Sequence, residues 1–205
     1  LSLWIHYDPE RGDPMYLLVY KFGGSSVADA AGLRCAAGQL AEAAAAGFHI
    51  IAVVSAQGKT TDRLLQSTAE LTAHPACREA DQLLATGEQA SAALMAMTLQ
   101  ERGLSAVSLT GWQAGIHTDG NHAAAEITAL HRRRILRELE AGRIVIVAGF
   151  QGVDREGDIT TLGRGGSDTT AVALAAAFDA CGCRICTDVD GVYAVSYTHL
   201  RAHET

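Results

Sequence analysis

Short apolar runs that end at glycines or small polar residues are the feature that most constrains the fold of this chain. The clearest runs are residues 16–22, 49–55 and 143–150. Each has the length of one strand and lacks the polar alternation of a strand with one wet face, which predicts strands buried in a parallel sheet. Stretches with helical spacing of apolar residues lie between them, so the sequence predicts an α/β protein.

The remaining elements are predicted from periodicity and from glycine and proline stops. Further strands are predicted over residues 106–110 and 184–188, with a hairpin over residues 151–161. Residues 124–130 are compatible with a strand or a helix, and residues 111–122 are predicted to be irregular. Helices are predicted from an N-cap at Ser26 up to Gly47, and over residues 63–71, 75–86, 89–102 and 132–141, with a break at Gly87 and Glu88.

The segment 161–177, TLGRGGSDTTAVALAAA, combines a glycine turn with the start of an apolar helix. Gly165 and Gly166 permit positive φ angles and close approach of the backbone to a ligand. The start of a helix offers free N–H groups and the positive end of the helix dipole, which suit an anion. Arg164 adds a planar fork that fits a carboxylate or phosphate, so the segment indicates a site for a small acid. The alternative is an ordinary capped helix after a glycine-rich turn.

A second anion-binding pattern follows the first predicted strand. Lys21 lies at the end of that strand and Gly23 and Gly24 follow it, an arrangement that presents backbone N–H groups to phosphates. Lys21 could meet those phosphates as a point charge, and the alternative is a surface lysine at a strand end. Ser55 and Thr61 follow the second strand, at the edge where open α/β sheets bind ligands. A P-loop is excluded there because its required first glycine is a valine.

Two further groups of polar residues are candidates for a ligand site. Glu88 is predicted at a helix start, where the helix dipole favours it, so a structural role and a ligand role are both open. Thr187, Asp188 and Asp190 crowd the end of a predicted strand, with a surface turn as the alternative.

Charge and cysteine content argue against several classes of protein. The net charge is −7, and the only basic cluster, residues 131–134, is interpreted as a solvated helix face rather than a nucleic-acid site. No apolar run approaches the length of a membrane span, so a cytoplasmic location is expected. Cys181, Cys183 and Cys186 lack a fourth ligand at metal-site spacing and are interpreted as small apolar residues of a buried strand. Trp112 is expected to pack rather than to bind a ligand.

Five motifs, in this order along the chain, resemble those of the aspartate kinases of the amino-acid kinase superfamily. They are KFGGSS at 21–26, VSA and TD between 54 and 62, GE at 87–88, GRGGSDTTA at 163–171 and TDVDGVY at 187–193. The resemblance covers residues 15–194 and implies a three-layer αβα sandwich with a mainly parallel central sheet, incomplete at its C-terminus. It also implies phosphoryl transfer from MgATP to the side-chain carboxylate of L-aspartate. The product, 4-phospho-L-aspartate, would be the first intermediate toward lysine, threonine and methionine.

The same resemblance implies a role for each matching residue. Lys21 and Asp168 would be the catalytic pair, with Gly23 and Gly24 helping to hold the transferred phosphate. Glu88 would bind the ammonium group of the substrate, and Arg164 its α-carboxylate. The rest of the substrate side would be Ser55, Thr61, Gly165, Gly166 and Ser167, and the rest of the nucleotide side Thr187, Asp188, Asp190, Gly191 and Tyr193. ATP and Mg²⁺ are the implied cofactors, and no residue is assigned as a direct metal ligand.

The resemblance also predicts a division of the chain. Residues 1–14 are expected to be a non-native leader, with a short genuine N-terminal tail as the alternative, and residues 15–194 an incomplete catalytic domain. Residues 195–205 are expected to be an artefactual tail in place of the regulatory ACT domains, through which the full-length protein would form oligomers. The chain as written is expected to be poorly soluble or inactive. Glu126 departs from the family pattern, which has a basic residue in this region.

Two alternatives to an aspartate kinase remain. One is another kinase of the superfamily, acting on glutamate, acetylglutamate or uridylate, although the joint presence of KFGGSS, GE and GRGGSDTTA argues against each. The other is a sensor that keeps the fold without catalysis. The presence of Lys21, Glu88, Arg164 and Asp168 together favours an enzyme. Neither a nucleic acid nor a membrane is expected as a partner.

Overall fold

The computed structural model describes residues 16–186 and 193–195. The strands are β1 (Leu17–Phe22), β2 (His49–Val54), β3 (Ala106–Leu109), β4 (Ile116–Thr118), β5 (Ile127–Leu130), β6 (Ile144–Ala148), β7 (Gln151–Val153), β8 (Ile159–Thr161), β9 (Gly182–Cys186) and β10 (Tyr193–Val195). The helices are α1 (Ala30–Ala45), α2 (Thr60–Leu71), α3 (Cys77–Glu101), α4 (Arg133–Glu140) and α5 (Gly166–Ala177).

A six-stranded sheet forms the centre of the fold, in the order β10-β9-β1-β2-β6-β3. Its strands pair in parallel except for β10, which runs antiparallel to β9. Strands β4, β5, β7 and β8 form a second sheet, in the order β5-β4-β7-β8, which is mainly antiparallel. The predicted mainly parallel central sheet is therefore confirmed.

Helices cover both faces of the central sheet, which produces three layers. On one face α1 and α3 contribute residues such as Leu40 and Met95 to a core with the strands. On the other face α4 and α5 contribute Leu139 and Leu174 to a second core. Each such aliphatic side chain contributes about 1.5–3 kcal/mol when it is fully buried. Within the described ranges, no helix combines the length and the apolar character needed to cross a lipid bilayer.

Strand β1 directs its side chains alternately to these two cores. Tyr20 and Phe22 belong to the core under α1 and α3, whereas Leu17 and Val19 belong to the core under α4 and α5. The same alternation directs Lys21 to the α5 side, where it is only 8% exposed. An amine with so little access to water needs a charged partner.

The two helices predicted on either side of Gly87 and Glu88 are one continuous helix, α3. The predicted break is therefore wrong. A Cβ atom at Gly87 would lie 2.8 Å from the Cβ of Ala56, so glycine at this position lets α3 pass close to the loop after β2. Glycine inside a helix lowers stability by about 1 kcal/mol relative to alanine. Here the close tertiary packing offsets that loss.

Several predicted boundaries also differ from the structure. The N-cap of α1 is Asp29 rather than Ser26, because the Asp29 carboxylate accepts a hydrogen bond from the Gly32 N–H at 2.8 Å. Helix α2 begins at Thr60, earlier than predicted. The ambiguous segment 124–130 ends in β5, and the segment predicted to be irregular contains β4. Trp112 is 41% exposed, so the expectation that it packs is wrong.

The last predicted strand and its cysteines are confirmed in part. The strand is β9, which begins at Gly182, and the predicted end at Asp188 lies outside the described residues. Cys183 is buried, Cys186 is half-buried and Cys181 is exposed. The interpretation as buried apolar residues therefore holds for Cys183 alone.

Candidate functional site

Several of the predicted site residues, among them Lys21, Glu88 and Asp168, lie near the carboxyl ends of the central strands. Strands β1, β2 and β6 end side by side, since Phe22 pairs with Val54 and Val54 pairs with Ala148. The start of α5 lies at the same edge, because the Phe150 N–H donates to the hydroxyl of Thr170 on α5 at 3.2 Å. Loops from several strands therefore meet where open α/β sheets bind their ligands.

Lys21 and Asp168 form an ion pair at this edge, with the lysine Nζ 2.9 Å from the aspartate Oδ1. The two side chains are 10% and 44% exposed. Oδ1 has no hydrogen bond within the described residues, so the pair meets as opposite charges rather than as an aligned hydrogen bond. A buried amine needs an opposite charge close by, and Asp168 provides it. The exposed part of the carboxylate leaves Asp168 able to contact a cation as well.

Gly23 and Gly24 shape the backbone directly after β1. A Cβ atom at Gly23 would lie 3.7 Å from the Nζ of Lys21, so a side chain there would fill the space beside the ammonium group. A Cβ atom at Gly24 would lie 2.5 Å from the carbonyl oxygen of Ala56, which real contacts do not allow. Glycine at position 24 therefore lets the loops after β1 and β2 pack closely. Glycine at position 23 leaves the surroundings of the buried ammonium group free of a side chain, which suits a phosphate.

Glu88 is buried inside α3, and only half of its carboxylate has a partner. The residue is 4% exposed, and its Oε1 accepts a hydrogen bond from the Ala56 N–H at 3.0 Å. Its Oε2 is buried without a hydrogen-bond partner in the described part of the chain. Burial raises the pKa of Glu88 from 4.5 to about 7, against the opposing effect of the Ala56 N–H. A buried acceptor of this kind is suited to pair with a cationic ligand.

The glycine turn before α5 has the predicted geometry in part, since Gly165 has a positive φ angle whereas Gly166 is already helical. Gly163 and Gly165 have φ angles of 71° and 74°, which are strained for other residues. Helix α5 begins at Gly166, and no side chain caps its first N–H groups. A Cβ atom at Gly149 would lie 2.7 Å from the hydroxyl of Ser167, so glycine after β6 lets the start of α5 approach the sheet edge.

The structure does not tie three predicted substrate residues to this constellation. Arg164 is exposed and makes no hydrogen bond or ion pair with the described residues. Ser55 is half-buried directly after β2, where its N–H donates to the Phe22 carbonyl at 3.1 Å. Thr61 is half-buried in the first turn of α2. Their roles remain predictions.

The nucleotide-side assignments fall mainly outside the described residues. These are Thr187, Asp188, Asp190 and Gly191. Only the backbone of Tyr193 is described, in β10, where it pairs with Ile185 of β9. The binding roles of these residues also remain predictions.

Asp81 is a buried residue near the site that the sequence analysis missed. It is 0% exposed and lies on α3. Its carboxylate accepts hydrogen bonds from the Thr161 N–H and hydroxyl at 3.1 and 2.6 Å and from the Ala123 N–H at 3.0 Å. It also lies 2.9 Å from the Nδ1 of His122. Asp81 therefore fastens the end of β8 and the segment before β5 to α3.

A sequence signal for Asp81 did exist. Asp81 and Glu88 are seven residues apart, a spacing that puts two side chains on one face of a continuous helix. The predicted break at Gly87 hid this relationship. Two acidic residues on an otherwise apolar helix face indicate partners in the interior, because an isolated charge would not be buried.

A group of possible metal ligands at the β7–β8 turn has structural partners instead. Suitable atoms of His122, Asp154 and Asp158 lie within 4.8 Å of one another. Asp81 contacts His122, Asp154 accepts hydrogen bonds from backbone N–H groups of the turn, and Arg78 pairs with Asp158 at 2.6 Å. The hydrogen bond from Arg78 lowers the pKa of Asp158. These contacts give the three residues a structural role, which is to close the β7–β8 hairpin.

Comparison with known proteins adds family information to this geometry. The model of the amino acid kinase family matches residues 17–195. An aspartokinase of Geobacillus stearothermophilus is 52% identical over 187 residues, which are 91% of this chain and 46% of that protein. Aspartokinase 2 of Bacillus subtilis is 49% identical over 188 residues, which are 92% of this chain and 46% of that protein. The chain thus spans a little under half the length of these relatives.

Solved structures of related proteins have the same fold. The aspartate kinase of Synechocystis superposes with a TM-score of 0.73 at 45% identity, covering 84% of this chain and 28% of that chain. Aspartokinase III of E. coli, solved in complex with aspartate and ADP, superposes with a TM-score of 0.74 at 27% identity. That match covers 85% of this chain and 50% of the E. coli chain.

Proposed function

Because this chain belongs to the amino acid kinase family, we propose that it transfers the γ-phosphoryl group of MgATP to the side-chain carboxylate of L-aspartate. The chain is 52% and 49% identical in sequence to two curated aspartokinases, which supports L-aspartate as the substrate over the substrates of other family members. The observation that carries the proposal is Glu88, a buried carboxylate with one unpartnered oxygen. The ammonium group of an amino acid would supply the charged hydrogen-bond donor that this oxygen lacks.

On the substrate side, the proposal uses two opposite charges. The Oε2 of Glu88 binds the ammonium group, and the exposed guanidinium of Arg164 binds the α-carboxylate in a bidentate manner. Ser55, Thr61 and the Gly165–Ser167 backbone complete the pocket around the substrate. With the ammonium group and the α-carboxylate held, the side-chain carboxylate at the other end of the substrate is directed toward the cation of the site, Lys21.

On the phosphate side, the residues present fit a bound nucleotide. Gly23 places no side chain beside the Nζ of Lys21, so a phosphate group can approach the ammonium charge there. The partly exposed carboxylate of Asp168 can hold Mg²⁺ or its water ligands while it keeps Lys21 in place. MgATP, when bound, supplies the phosphoryl group and a divalent charge. Thr187, Asp188, Asp190, Gly191 and Tyr193 would form the nucleotide side.

The acceptor needs no general base, because an aspartate side chain with a pKa of about 3.9 is already ionised at neutral pH. The obstacle is repulsion between this carboxylate and the phosphates. Lys21 reduces the repulsion with a positive charge in a site where little water screens it. Asp168 therefore acts by orienting Lys21 and the metal rather than by removing a proton.

The proposal also covers what lies beyond these residues. The catalytic domain would span residues 15–194, with a cytoplasmic location. In a longer protein, regulatory domains would join protomers into oligomers. Size measurements on such a protein would test the last point.

The test is an assay for acyl phosphate formed from MgATP and L-aspartate, with hydroxylamine as the trap. We expect trapped product with L-aspartate and little with succinate, which lacks the ammonium group that Glu88 would bind. Calorimetric titration of L-aspartate without nucleotide provides a separate measure of binding. Binding of L-aspartate without any turnover would favour a sensor over a kinase. Equal turnover of succinate and L-aspartate would contradict the role of Glu88.

A further inference from the structure

A concave pocket of about 620 Å³ lies between α4 and the start of β4. Arg133, Arg134 and Arg137 line the side formed by α4, His117 and His131 line the opposite side, and Trp112 lies at the rim. None of these residues belongs to the proposed kinase site. The sequence analysis interpreted the basic run as a solvated helix face and Trp112 as a packing residue, whereas the structure brings the two together.

The positive charge in this pocket exceeds what its neighbours neutralise. Arg134 and Arg137 share one carboxylate, that of Glu138, which Arg143 also contacts. Arg133 makes no hydrogen bond or ion pair with the described residues. The buried carboxylate of Glu138 therefore serves three guanidinium groups, and Arg133 has no partner there. The exposed carboxylate of Glu140 also lines the pocket, so two carboxylates stand against four guanidinium groups.

The position of these charges makes the excess unfavourable for the helix itself. Helix α4 has no acidic residue in its first turn and no side-chain cap, so Arg133 lies at the positive end of the helix dipole. Arg133 and Arg137 are also four residues apart, a spacing at which like charges destabilise a helix. An anion bound between them would relieve both effects. The protein carries a net charge of −7, so the basic pocket is a local feature.

The aromatic groups indicate what else the ligand carries. The ring centroids of His117 and His131 lie 4.4 Å apart, so the two rings pack against each other and form one wall of the pocket. Trp112 presents 41% of its surface to solvent beside this wall. A half-exposed indole next to guanidinium groups is a platform on which a flat ring can stack.

We propose that this pocket binds a small organic anion that combines a phosphate group with an aromatic ring. Its phosphate lies against Arg133 and Arg137, and its ring lies against Trp112. A nucleoside monophosphate has this chemistry. The proposal does not depend on the kinase activity, since it uses none of the residues assigned to that reaction.

The test uses the intrinsic fluorescence of Trp112. The chain has two tryptophans, so the Trp4→Phe variant leaves Trp112 as the only reporter. We expect saturable quenching with adenosine monophosphate, and much weaker binding of adenosine, which lacks the phosphate. Ribose 5-phosphate, which lacks the aromatic ring, is expected to compete weakly. Sodium chloride at matched ionic strength is the control for general charge screening.

Substitutions in the same background decide whether the pocket is the site. Arg133→Gln is expected to weaken binding of adenosine monophosphate by about tenfold or more, the effect of one charge-assisted hydrogen bond. Arg155→Gln removes the same charge from an exposed position outside the pocket and is expected to leave binding unchanged. Equal affinities of these two variants, or no saturable quenching at all, would overturn the proposal.

The Arg133→Glu variant provides a readout that does not need the ligand. It places an acid at the start of α4, so we expect a higher melting temperature in the absence of ligand together with loss of binding. A lower melting temperature would show that Arg133 stabilises the fold, and would overturn the argument from unfavourable charge.

Discussion

Asp81 holds Thr161 through two hydrogen bonds, from the backbone N–H at 3.1 Å and from the hydroxyl at 2.6 Å. Asp81 lies on the same helix as Glu88, and Thr161 ends β8 shortly before the turn that carries Arg164. Asp81 therefore places Glu88 and Arg164, the residues proposed to bind the ammonium group and the α-carboxylate of the substrate, relative to each other. This relationship connects the stability of the interior to the geometry of the site.

Replacing Asp81 with Asn is expected to lower both stability and substrate affinity. The carboxylate of Asp81 accepts hydrogen bonds from Ala123 and Thr161, and the N–H₂ group of an asparagine could not accept them. We therefore expect the free energy of unfolding to fall by at least about 2 kcal/mol. The KM for L-aspartate should rise more than kcat falls, because the substrate contacts shift while Lys21 stays in place. Urea denaturation and steady-state kinetics measure the two effects. Glu101→Gln, at the exposed end of α3, is the control, and equal behaviour of the two variants would contradict the prediction.

Glu88 is expected to destabilise the free protein at neutral and higher pH. Its pKa is 4.5 when unfolded and about 7 when folded, so on unfolding between these values the chain releases a proton. The contribution of Glu88 to the free energy of unfolding therefore falls as the pH rises through this window. Above the window, the ionised Glu88 lowers the free energy of unfolding by about 3 kcal/mol. Glu88→Gln should accordingly be more stable than the parent at pH 8, and by a much smaller margin at pH 5.

Urea denaturation at the two pH values measures this difference. Glu70→Gln, at an exposed position of α2, should show no such pH dependence. A stability gain of Glu88→Gln that is the same at both pH values would mean that burial does not shift the titration of Glu88 as the structure indicates.

The affinity for L-aspartate should depend on the same titration of Glu88, but it should increase as the pH rises. The ammonium group of L-aspartate and a proton compete for Glu88, so only the ionised carboxylate binds. Below a pH of about 7, the raised pKa of Glu88 should weaken affinity by up to about tenfold per pH unit, and above it affinity should level off. Calorimetric titrations between pH 5.5 and 8 provide the test. In Glu88→Gln the profile should be flat and the affinity low, and a flat profile in the parent would rule out this competition.

The Lys21–Asp168 ion pair predicts graded effects on turnover. Lys21→Met removes the cation, so we expect kcat to fall by about a thousandfold or more with little change in the KM for L-aspartate. Asp168→Asn keeps the lysine but weakens its orientation and the metal contact, and should retain more activity than Lys21→Met. Near-normal turnover of Lys21→Met would exclude the assigned role, provided that its circular dichroism matches the parent.

Gly24 should tolerate no side chain. Gly24→Ala would place a Cβ 2.5 Å from the Ala56 carbonyl oxygen, so the loops after β1 and β2 must separate. Because Ala56 also donates to Glu88, we expect both a lower melting temperature and a weaker affinity for L-aspartate. Gly38→Ala is the matched control, since its Cβ would meet only the side chain of Arg102 at 3.5 Å. This change within α1 should raise stability by up to about 1 kcal/mol. Equal melting temperatures of the two variants would contradict the prediction.

Much of the architecture could be predicted from local sequence. The run at residues 16–22 predicted β1, which is Leu17–Phe22, and the run at residues 49–55 predicted β2, which is His49–Val54. Apolar runs of this length that end at glycines or small polar residues favour a strand buried on both faces. The prediction was wrong at Gly87, because a glycine signals a helix end locally while its tertiary role here is close packing against Ala56.

What the sequence determined by itself was therefore the position of the longer buried strands along the chain, the glycine turns and the types of side chain at the site, since each depends on a few neighbouring residues. Only the tertiary structure decided that Lys21 faces Asp168, that Glu88 keeps one oxygen without a partner, and that Asp81 belongs to the same region. Charge and protonation depend on burial and on partners far apart in the chain, and these are established when the helices close over the sheet.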